Sequence, residues 1–265
     1  MIQIYLYLKY NLLEVVNVQI VIYTLLNYIN CCIKQDTEYN VAKCLLLNIR
    51  KLKYLSLEET AEMCNVSVST LNRFCRTIGF INFSTIKRLM QNHDLPFDYT
   101  SLAENRGNSP DYLEKIIFSL EKVESIDISY FQHIANIIDN AHHVKLLGYG
   151  DFFYEAEYFQ NIMLYHGLLL EIVNQNEVFD PRTIKENDVL IITSLSGGYV
   201  MNLVSALKLT KCKKVLITKD KKDMPDIFDV VIEVGKNDDM NLNKYIIMRV
   251  YEKIITSYFH KKSMT

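Results

Sequence analysis

Side chains that can hydrogen-bond nucleic acid recur along residues 67–76, at positions that the outer face of one helix would share. They are Ser67, Ser69, Thr70, Asn72, Arg73 and Arg76. Such side chains can bond the phosphates and base edges of DNA, and an arginine can bind a guanine edge or a phosphate through two bonds. Any soluble helix also needs polar residues outside, so spacing alone leaves DNA binding and an ordinary solvated face as alternatives.

The neighbouring residues predict two short helices joined by a tight turn. Ser56 and Glu59 form a capping-box pattern, so a helix should begin at about Leu57. Asn65 tolerates the left-handed conformation of a tight turn, and Ser67 can cap the next helix. Four apolar residues have the spacing that locks two helices at a fixed angle, namely Ala61, Val66, Leu71 and Phe74. This is the pattern of a helix-turn-helix, whose second helix enters the major groove of DNA.

Charge is distributed unevenly along the chain. The formal net charge is −2, yet residues 36–93 hold 8 Lys and Arg against 5 Asp and Glu, while residues 94–265 hold 19 against 25. A further short helix, Ser84 to Gln91, adds Lys87 to the basic segment as a candidate phosphate contact. A basic segment on an acidic body suits a DNA-binding protein, because phosphate contacts supply most sequence-independent affinity.

A second group of candidate residues lies in two glycine-containing loops. Gly148 and Gly150 follow an apolar segment at 144–147 and precede a helical pattern, but Phe153 stands where a dinucleotide fingerprint needs its third glycine. The second loop follows the apolar segment 189–193 and comprises Ser194, Ser196, Gly197, Gly198 and Tyr199. Hydroxyls, glycines and a helix N-terminus together can bind a phosphate, although a loop that merely caps a helix would look the same.

Strand and helix patterns alternate from residue 144 onward, which predicts a mostly parallel sheet covered on both faces. The fold class is therefore an all-helical helix-turn-helix domain followed by a three-layer α/β domain. We expect the helical DNA-binding domain over residues 1–92, a linker over 93–109, where Pro and Gly interrupt the periodicity, and the α/β domain over 110–265. Open sheets of this type bind ligands beyond the carboxyl ends of their strands.

The uncharged segment from Val15 to Ile33 is long enough to suggest a membrane span. Five polar residues interrupt it, and its apolar residues form a helical stripe, which favours an amphipathic helix. The six cysteines include no CxxC pair and no histidine at zinc-finger spacing, so we expect reduced, mostly buried thiols and no metal site. No secretory signal is evident, which predicts a cytoplasmic protein.

The run from Val66 to Phe80, followed by Asn82-Phe83-Ser84, resembles the N-terminal domain of MurR/RpiR-type regulators, with a distinctive Arg-Phe-Cys-Arg…Gly-Phe core. The C-terminal half resembles a sugar isomerase (SIS) domain, whose phosphosugar loop has the pattern Ser-x-Ser-Gly-x-Thr. Ser194, Ser196 and Gly197 match that pattern. Tyr199 stands where the family usually has threonine, and Phe152 stands where it usually has serine.

The resemblance implies a transcription regulator of carbohydrate metabolism that binds an operator in double-stranded DNA and a phosphosugar-like effector. It implies a homodimer or homotetramer, with no cofactor, no catalytic residue and no membrane partner. One alternative is a phosphosugar isomerase with an appended helical domain, for which Glu155, Glu157, His166 and Glu177 are available bases. Another is a regulator whose altered pocket, through Phe152 and Tyr199, no longer binds phosphosugars.

Overall fold

The computed structural model describes residues 18–91, 110–148, 152–173, 179–235 and 240–264. The chain divides into two compact units, one within Met1–Tyr99 and the other within Thr100–Thr265. The expected linker over 93–109 lies outside the described residues.

The described part of the first unit is helical, as the sequence predicts. Its helices are α1 Val18–Cys31, α2 Thr37–Leu47, α3 Leu57–Met63, α4 Val68–Thr77 and α5 Phe83–Gln91, with a 3₁₀ turn at Ile49–Lys51. The capping box forms at α3, where the Glu59 amide donates to Ser56 Oγ at 3.1 Å and the Ser56 amide donates to Glu59 Oε2 at 2.6 Å. Asn65 takes a φ of 53° in the turn between α3 and α4, which is the left-handed conformation expected there.

A hydrophobic core holds these helices together. Leu71 and Phe74 of α4 are fully buried, and the Tyr28 ring of α1 meets Phe74 edge-on at 5.3 Å between centroids. Ile20, Val21 and Leu25 bury the inner face of α1 against the same core, so α1 is the amphipathic helix that the sequence predicts. Among the helices of the described ranges, none combines the length and apolar content needed to cross a membrane.

The second unit contains a parallel sheet of five strands. In chain order its elements are α6 Pro110–Glu124, α7 Ile128–Asp139, β1 Val144–Leu147, α8 Phe153–Tyr165, β2 Leu170–Ile172, β3 Val189–Thr193, α9 Gly198–Leu207, β4 Lys213–Thr218, β5 Val230–Glu233 and α10 Met240–Met264. The strands lie in the order β2-β1-β3-β4-β5, and each neighbouring pair is parallel. The order reverses between β1 and β3, which is where open α/β sheets bind ligands.

Helices cover both faces of this sheet. Ile191 of β3 joins a core cluster with residues of α7, α8 and α10, while its neighbours Leu190 and Ile192 are equally buried outside that cluster. Successive side chains of a strand point to opposite faces, so both faces exclude water. The three-layer arrangement predicted from the sequence is therefore present.

Candidate functional site

The N-terminus of α4 presents a cluster of hydroxyl groups. Ser67 caps the helix by accepting the Thr70 amide at 3.1 Å, and its Oγ also lies 2.8 Å from Ser69 Oγ and 2.9 Å from Thr70 Oγ1. Ser67 and Ser69 are exposed, and Thr70 is half-buried. The cap therefore holds the first turn of α4 rigid, with two hydroxyls facing solvent beside the free amides of the helix end.

Arg73 and Arg76 provide the positive charge of the α4 surface. Both side chains are exposed, and neither guanidinium has a carboxylate partner within the described ranges. Lys87 of α5 is half-buried, and its charge contributes to lowering the pKa of Glu59, an effect due mainly to the hydrogen bonds from Ser56. These two arginines, without carboxylate partners among the described residues, give the exposed face of the capped helix α4 a surface that can bind phosphates or guanine edges.

Asn72 differs from the other predicted DNA-contacting residues, because it is half-buried and also has a contact within the fold. Its Oδ1 accepts the amide of Phe83, the first residue of α5, at 3.1 Å. Asn72 thus ties α4 to the start of α5 through a side-chain contact that periodicity does not indicate.

The two glycine-containing loops of the second unit meet beyond the carboxyl ends of β1 and β3. Gly148 has a φ of +69°, and a Cβ atom at this position would lie 2.6 Å from both the Thr193 carbonyl oxygen and Tyr199 Cδ1. The structure thus brings Gly148 and Tyr199 into direct contact. Gly150, the other predicted residue of the first loop, lies outside the described residues.

The serine loop, residues 194–199, turns tightly into α9. The Gly197 amide donates to the Ser194 carbonyl at 3.1 Å, and Gly197 has a φ of +77° at the start of the helix. Met224 packs on Gly197 from the β4–β5 connection. Ser196 is exposed, and its Oγ accepts the Gly198 amide at 3.4 Å. The loop therefore directs the first amides of a ten-residue helix outward, which is the geometry that binds anions.

Ser194 is the buried member of this loop. Its side chain is 5% exposed, and its Oγ has no hydrogen-bond partner among the residues that the structure describes. A buried hydroxyl without a partner costs free energy unless something bonds it. Its position at the end of β3 makes a ligand oxygen a suitable partner.

Phe152 and Tyr251 belong to the core behind these loops. Phe152 is 6% exposed and packs into the main hydrophobic cluster rather than facing the site. The Tyr251 hydroxyl of α10 lies 2.9 Å from Thr193 Oγ1, and burial raises the pKa of Tyr251. Tyr251 was not predicted from the sequence, and only its place in a helical stripe indicated that it is buried.

The residues considered as catalytic bases do not converge. Glu155 is buried near Tyr251, Glu157 is half-buried, and the ring of the exposed His166 lies against that of Phe259, tilted by 41°, at 3.7 Å between centroids. Glu177 lies outside the described residues. All six cysteines are free, and burial raises the pKa of the Cys75 thiol to about 12. Within the described ranges, no group of His, Cys, Asp and Glu is placed to hold a metal ion.

The fold and these two sites define a helix-turn-helix protein with a parallel α/β domain. Residues 25–94 match the helix-turn-helix domain of the rpiR family. An uncharacterized HTH-type transcriptional regulator of Haemophilus influenzae is 24% identical over 188 residues, an alignment that covers 66% of this chain and 65% of that relative. The resemblance of the Arg-Phe-Cys-Arg…Gly-Phe run is confirmed for the N-terminal domain, which is a helix-turn-helix domain of the rpiR family.

Two solved structures share the fold. NanR of Vibrio vulnificus, complexed with ManNAc-6P, superimposes with a TM-score of 0.50 at 14% identity and covers 92% of this chain and 93% of its own. A protein of E. coli CFT073, solved in complex with a phosphosugar, has a TM-score of 0.50 at 15% identity, covering 65% of this chain and 95% of its own. At these identities the likeness concerns the fold.

Proposed function

We propose that this chain binds an operator in double-stranded DNA through α4 and regulates carbohydrate metabolism in response to a phosphorylated sugar or a related metabolite. The observation that carries the proposal is the pair of exposed arginines, Arg73 and Arg76, without carboxylate partners within the described ranges, on the capped second helix of an rpiR-type domain. A capped, buried helix presents its outer side chains in a fixed geometry, which base recognition requires. Ser67, Ser69, Thr70, Asn72 and Lys87 complete the proposed DNA surface.

The effector site is the pair of loops beyond β1 and β3, with Gly148, Gly150, Ser194, Ser196, Gly197, Gly198 and Tyr199. Support comes from the Ser194 hydroxyl, unpartnered among the described residues, and from the N-terminus of α9, which together suit a phosphate. Two proteins of the same fold were solved with phosphosugars bound, one of them ManNAc-6P. An effector regulates only if it binds the DNA-competent and DNA-incompetent arrangements with different affinity.

The regulator works as a homodimer or homotetramer, so that two copies of α4 address a two-fold-related operator. Support comes from α8, which exposes 57% of Tyr154, 51% of Leu164 and 84% of Tyr165. Tyr154 and Tyr165 are about three helical turns apart and share one face of α8, and Leu164 lies beside that face, roughly 100° from Tyr165. Light scattering on Leu164→Glu should show a smaller particle than the wild type, whereas Lys115→Glu on α6 serves as an exposed control.

The DNA part is tested with genomic fragments selected by the full-length chain. We expect Arg73→Ala to weaken binding to the selected operator by about 1–3 kcal/mol if it reads a guanine, and Lys87→Ala to weaken binding to all sequences alike. Lys43→Ala, an exposed position on α2, is the matched charge control. Operator affinity that is unchanged in both Arg73→Ala and Lys87→Ala would contradict this placement of the recognition helix.

The effector part is tested by thermal unfolding with ManNAc-6P and a panel of other sugar phosphates. A compound present at one hundred times its Kd should stabilise the chain by about 2.7 kcal/mol. No response to any sugar phosphate would favour the alternative of a regulator whose altered pocket no longer binds phosphosugars. Aldose–ketose interconversion that is lost on Ser196→Ala would instead favour an isomerase.

A further inference from the structure

Asn243 is a buried polar residue that the proposed function does not use. It lies in the first turn of α10, its side chain is 1% exposed, and neither Nδ2 nor Oδ1 has a hydrogen-bond partner within the described part of the chain. A carboxamide buried in this way is costly to fold, because both its donor and its acceptor have lost water. The site therefore calls for a bonding partner that the described residues do not supply.

Two ring contacts fix the position of Asn243 along the helices. Phe159 of α8 stacks on Tyr251 of α10 at 4.7 Å, and two turns further on His166 meets Phe259 at 3.7 Å. The residue numbers of the contacting rings differ by 92 in the first pair (251 − 159) and by 93 in the second (259 − 166). This nearly constant difference means that α8 and α10 run parallel, side by side. Counting back by the same offset, Asn243 lies level with the start of α8, close to Phe152.

Asn243 also lies on the inner face of α10. It is four residues before Ile247 and eight before Tyr251, both fully buried in the core, and residues spaced by four share a helix face. The Tyr251 hydroxyl reaches Thr193 at the end of β3. Eight residues of helix place Asn243 about 12 Å further along the axis.

That distance brings Asn243 to the level of the serine loop. Because α8 leaves the carboxyl end of β1 and returns to the parallel strand β2, the N-termini of α8 and of its parallel neighbour α10 lie at the carboxyl edge of the sheet. The serine loop follows Thr193 past the same edge and turns there into α9, with the Gly197 amide bonded to the Ser194 carbonyl at 3.1 Å. Asn243 and Ser194 are thus two buried polar side chains at one edge of the sheet, both unpartnered among the described residues.

We propose that Asn243 binds the effector, and that its carboxamide bonds a hydroxyl or amide group on the uncharged part of the ligand while the serine loop holds the anionic part. A carboxamide donates and accepts at once, which matches a polyol or an acylamino group and not a phosphate, which only accepts. This inference rests on the proposed effector site. It restricts the ligand class to small anions that also carry a hydroxyl or amide within reach of α10.

The test compares a sugar phosphate with inorganic phosphate on the full-length chain. Calorimetry would give the Kd of ManNAc-6P and of phosphate for three proteins: the wild type, Asn243→Leu and Ser194→Ala. Asn243→Leu keeps the side-chain volume but makes no hydrogen bonds. Any other sugar phosphate that stabilises the wild type is measured alongside. We expect Asn243→Leu to raise the Kd of the sugar phosphate at least tenfold and to change the Kd of inorganic phosphate less than twofold. Ser194→Ala should weaken both.

Stability of the ligand-free chain separates binding from a structural role. Asn243→Leu should unfold at the same or a higher temperature, because it removes an unpartnered polar group. The control, Thr210→Val, removes a buried hydroxyl that donates to the Leu207 carbonyl at 2.8 Å, so it should lower the melting temperature without changing Kd.

Each contrary outcome has a distinct meaning. A lower melting temperature for Asn243→Leu with unchanged sugar-phosphate affinity would overturn this inference alone, since Asn243 would then bond within the chain. If no sugar phosphate binds the wild type, or if binding survives both Asn243→Leu and Ser194→Ala, the proposed effector site fails together with the inference.

Discussion

The ring of Tyr199 lies against Gly148, so close that a Cβ atom at residue 148 would be 2.6 Å from Tyr199 Cδ1. The Thr193 carbonyl oxygen approaches the same point equally closely, so the end of β1 is confined between a backbone atom and an aromatic ring. The ring occupies space beside the serine loop where the SIS resemblance implies the small side chain of threonine. Tyr199 therefore reduces the room for a ligand between the two loops.

A residue with a side chain pays about 1–3 kcal/mol for a left-handed backbone conformation. Gly148→Ala should destabilise the second unit by more than this. The added methyl would also meet the Thr193 carbonyl, which cannot move without disturbing β3. Gly167→Ala is the matched control, because Gly167 has a φ of +84° but nothing within 4 Å of an added Cβ. Urea unfolding should show the larger loss for Gly148→Ala, and equal losses would mean that the close approach is unimportant.

Tyr199→Thr should raise the affinity for sugar phosphates. The substitution frees the space over Gly148 and adds a hydroxyl at the start of α9, and a hydrogen bond to a charged group contributes about 1.5–3 kcal/mol. Titration should show a Kd about tenfold lower or better, whereas Tyr199→Phe, which keeps the ring, should bind as the wild type does. Weaker binding by Tyr199→Thr would indicate that the ring itself contacts the ligand.

Phe152→Ala should lower the free energy of unfolding by about 3–5 kcal/mol, as expected for a buried phenylalanine that leaves a cavity. Phe152 packs in the main cluster, so Phe152→Ser should destabilise the fold and not restore a phosphate-binding hydroxyl. Phe153 is a half-buried neighbour, so Phe153→Ala should lower the free energy of unfolding, measured by chemical denaturation, less than Phe152→Ala does. A sugar-phosphate affinity gained by Phe152→Ser without loss of stability would contradict this assignment.

Asn72 and Arg73 should separate stability from DNA binding. Asn72→Ala removes the acceptor of the Phe83 amide and should cost about 0.5–1.5 kcal/mol of stability. Arg73→Ala, at an exposed position, should stay within about 0.5 kcal/mol of the wild type in stability while weakening operator binding. Paired unfolding and DNA-binding measurements decide this, and a stability loss for Arg73→Ala equal to that of Asn72→Ala would count against the distinction.

Asp188→Asn should change the dependence of stability on pH. Burial alone would raise the pKa of Asp188, but the Lys185 amide at 2.8 Å and His143 Nδ1 at 3.0 Å stabilise the carboxylate, and the pKa is lowered. The stabilisation is therefore complete above the unfolded pKa of about 3.9 and is lost as the pH falls through the lower folded value. The melting temperature of the wild type should exceed that of Asp188→Asn by a margin that shrinks below about pH 4. A margin that grows there would contradict the lowered pKa of Asp188.

The sequence alone determined the secondary structure and the class of protein. The capping box at Ser56, the turn at Asn65 and the serine cap at Ser67 are local interactions, so residue types a few positions apart suffice to predict them. Strands β1 and β3 were also predicted with the bounds that the structure has, because buried parallel strands are continuous apolar runs. The apolar run over residues 168–173 forms a strand only at Leu170–Ile172, and α9 begins at Gly198, inside the predicted serine loop, since such ends depend on neighbouring elements.

Only the tertiary structure decided what the candidate residues touch. The bond from the Phe83 amide to Asn72 and the ring of Tyr199 on Gly148 join residues that local patterns do not connect. The burial of Phe152 and of Asn243 likewise depends on neighbouring elements. Periodicity assigns a side chain to a face of its own helix or strand. Which group meets it there depends on how the elements pack, and that packing sets the shape and polarity of the site.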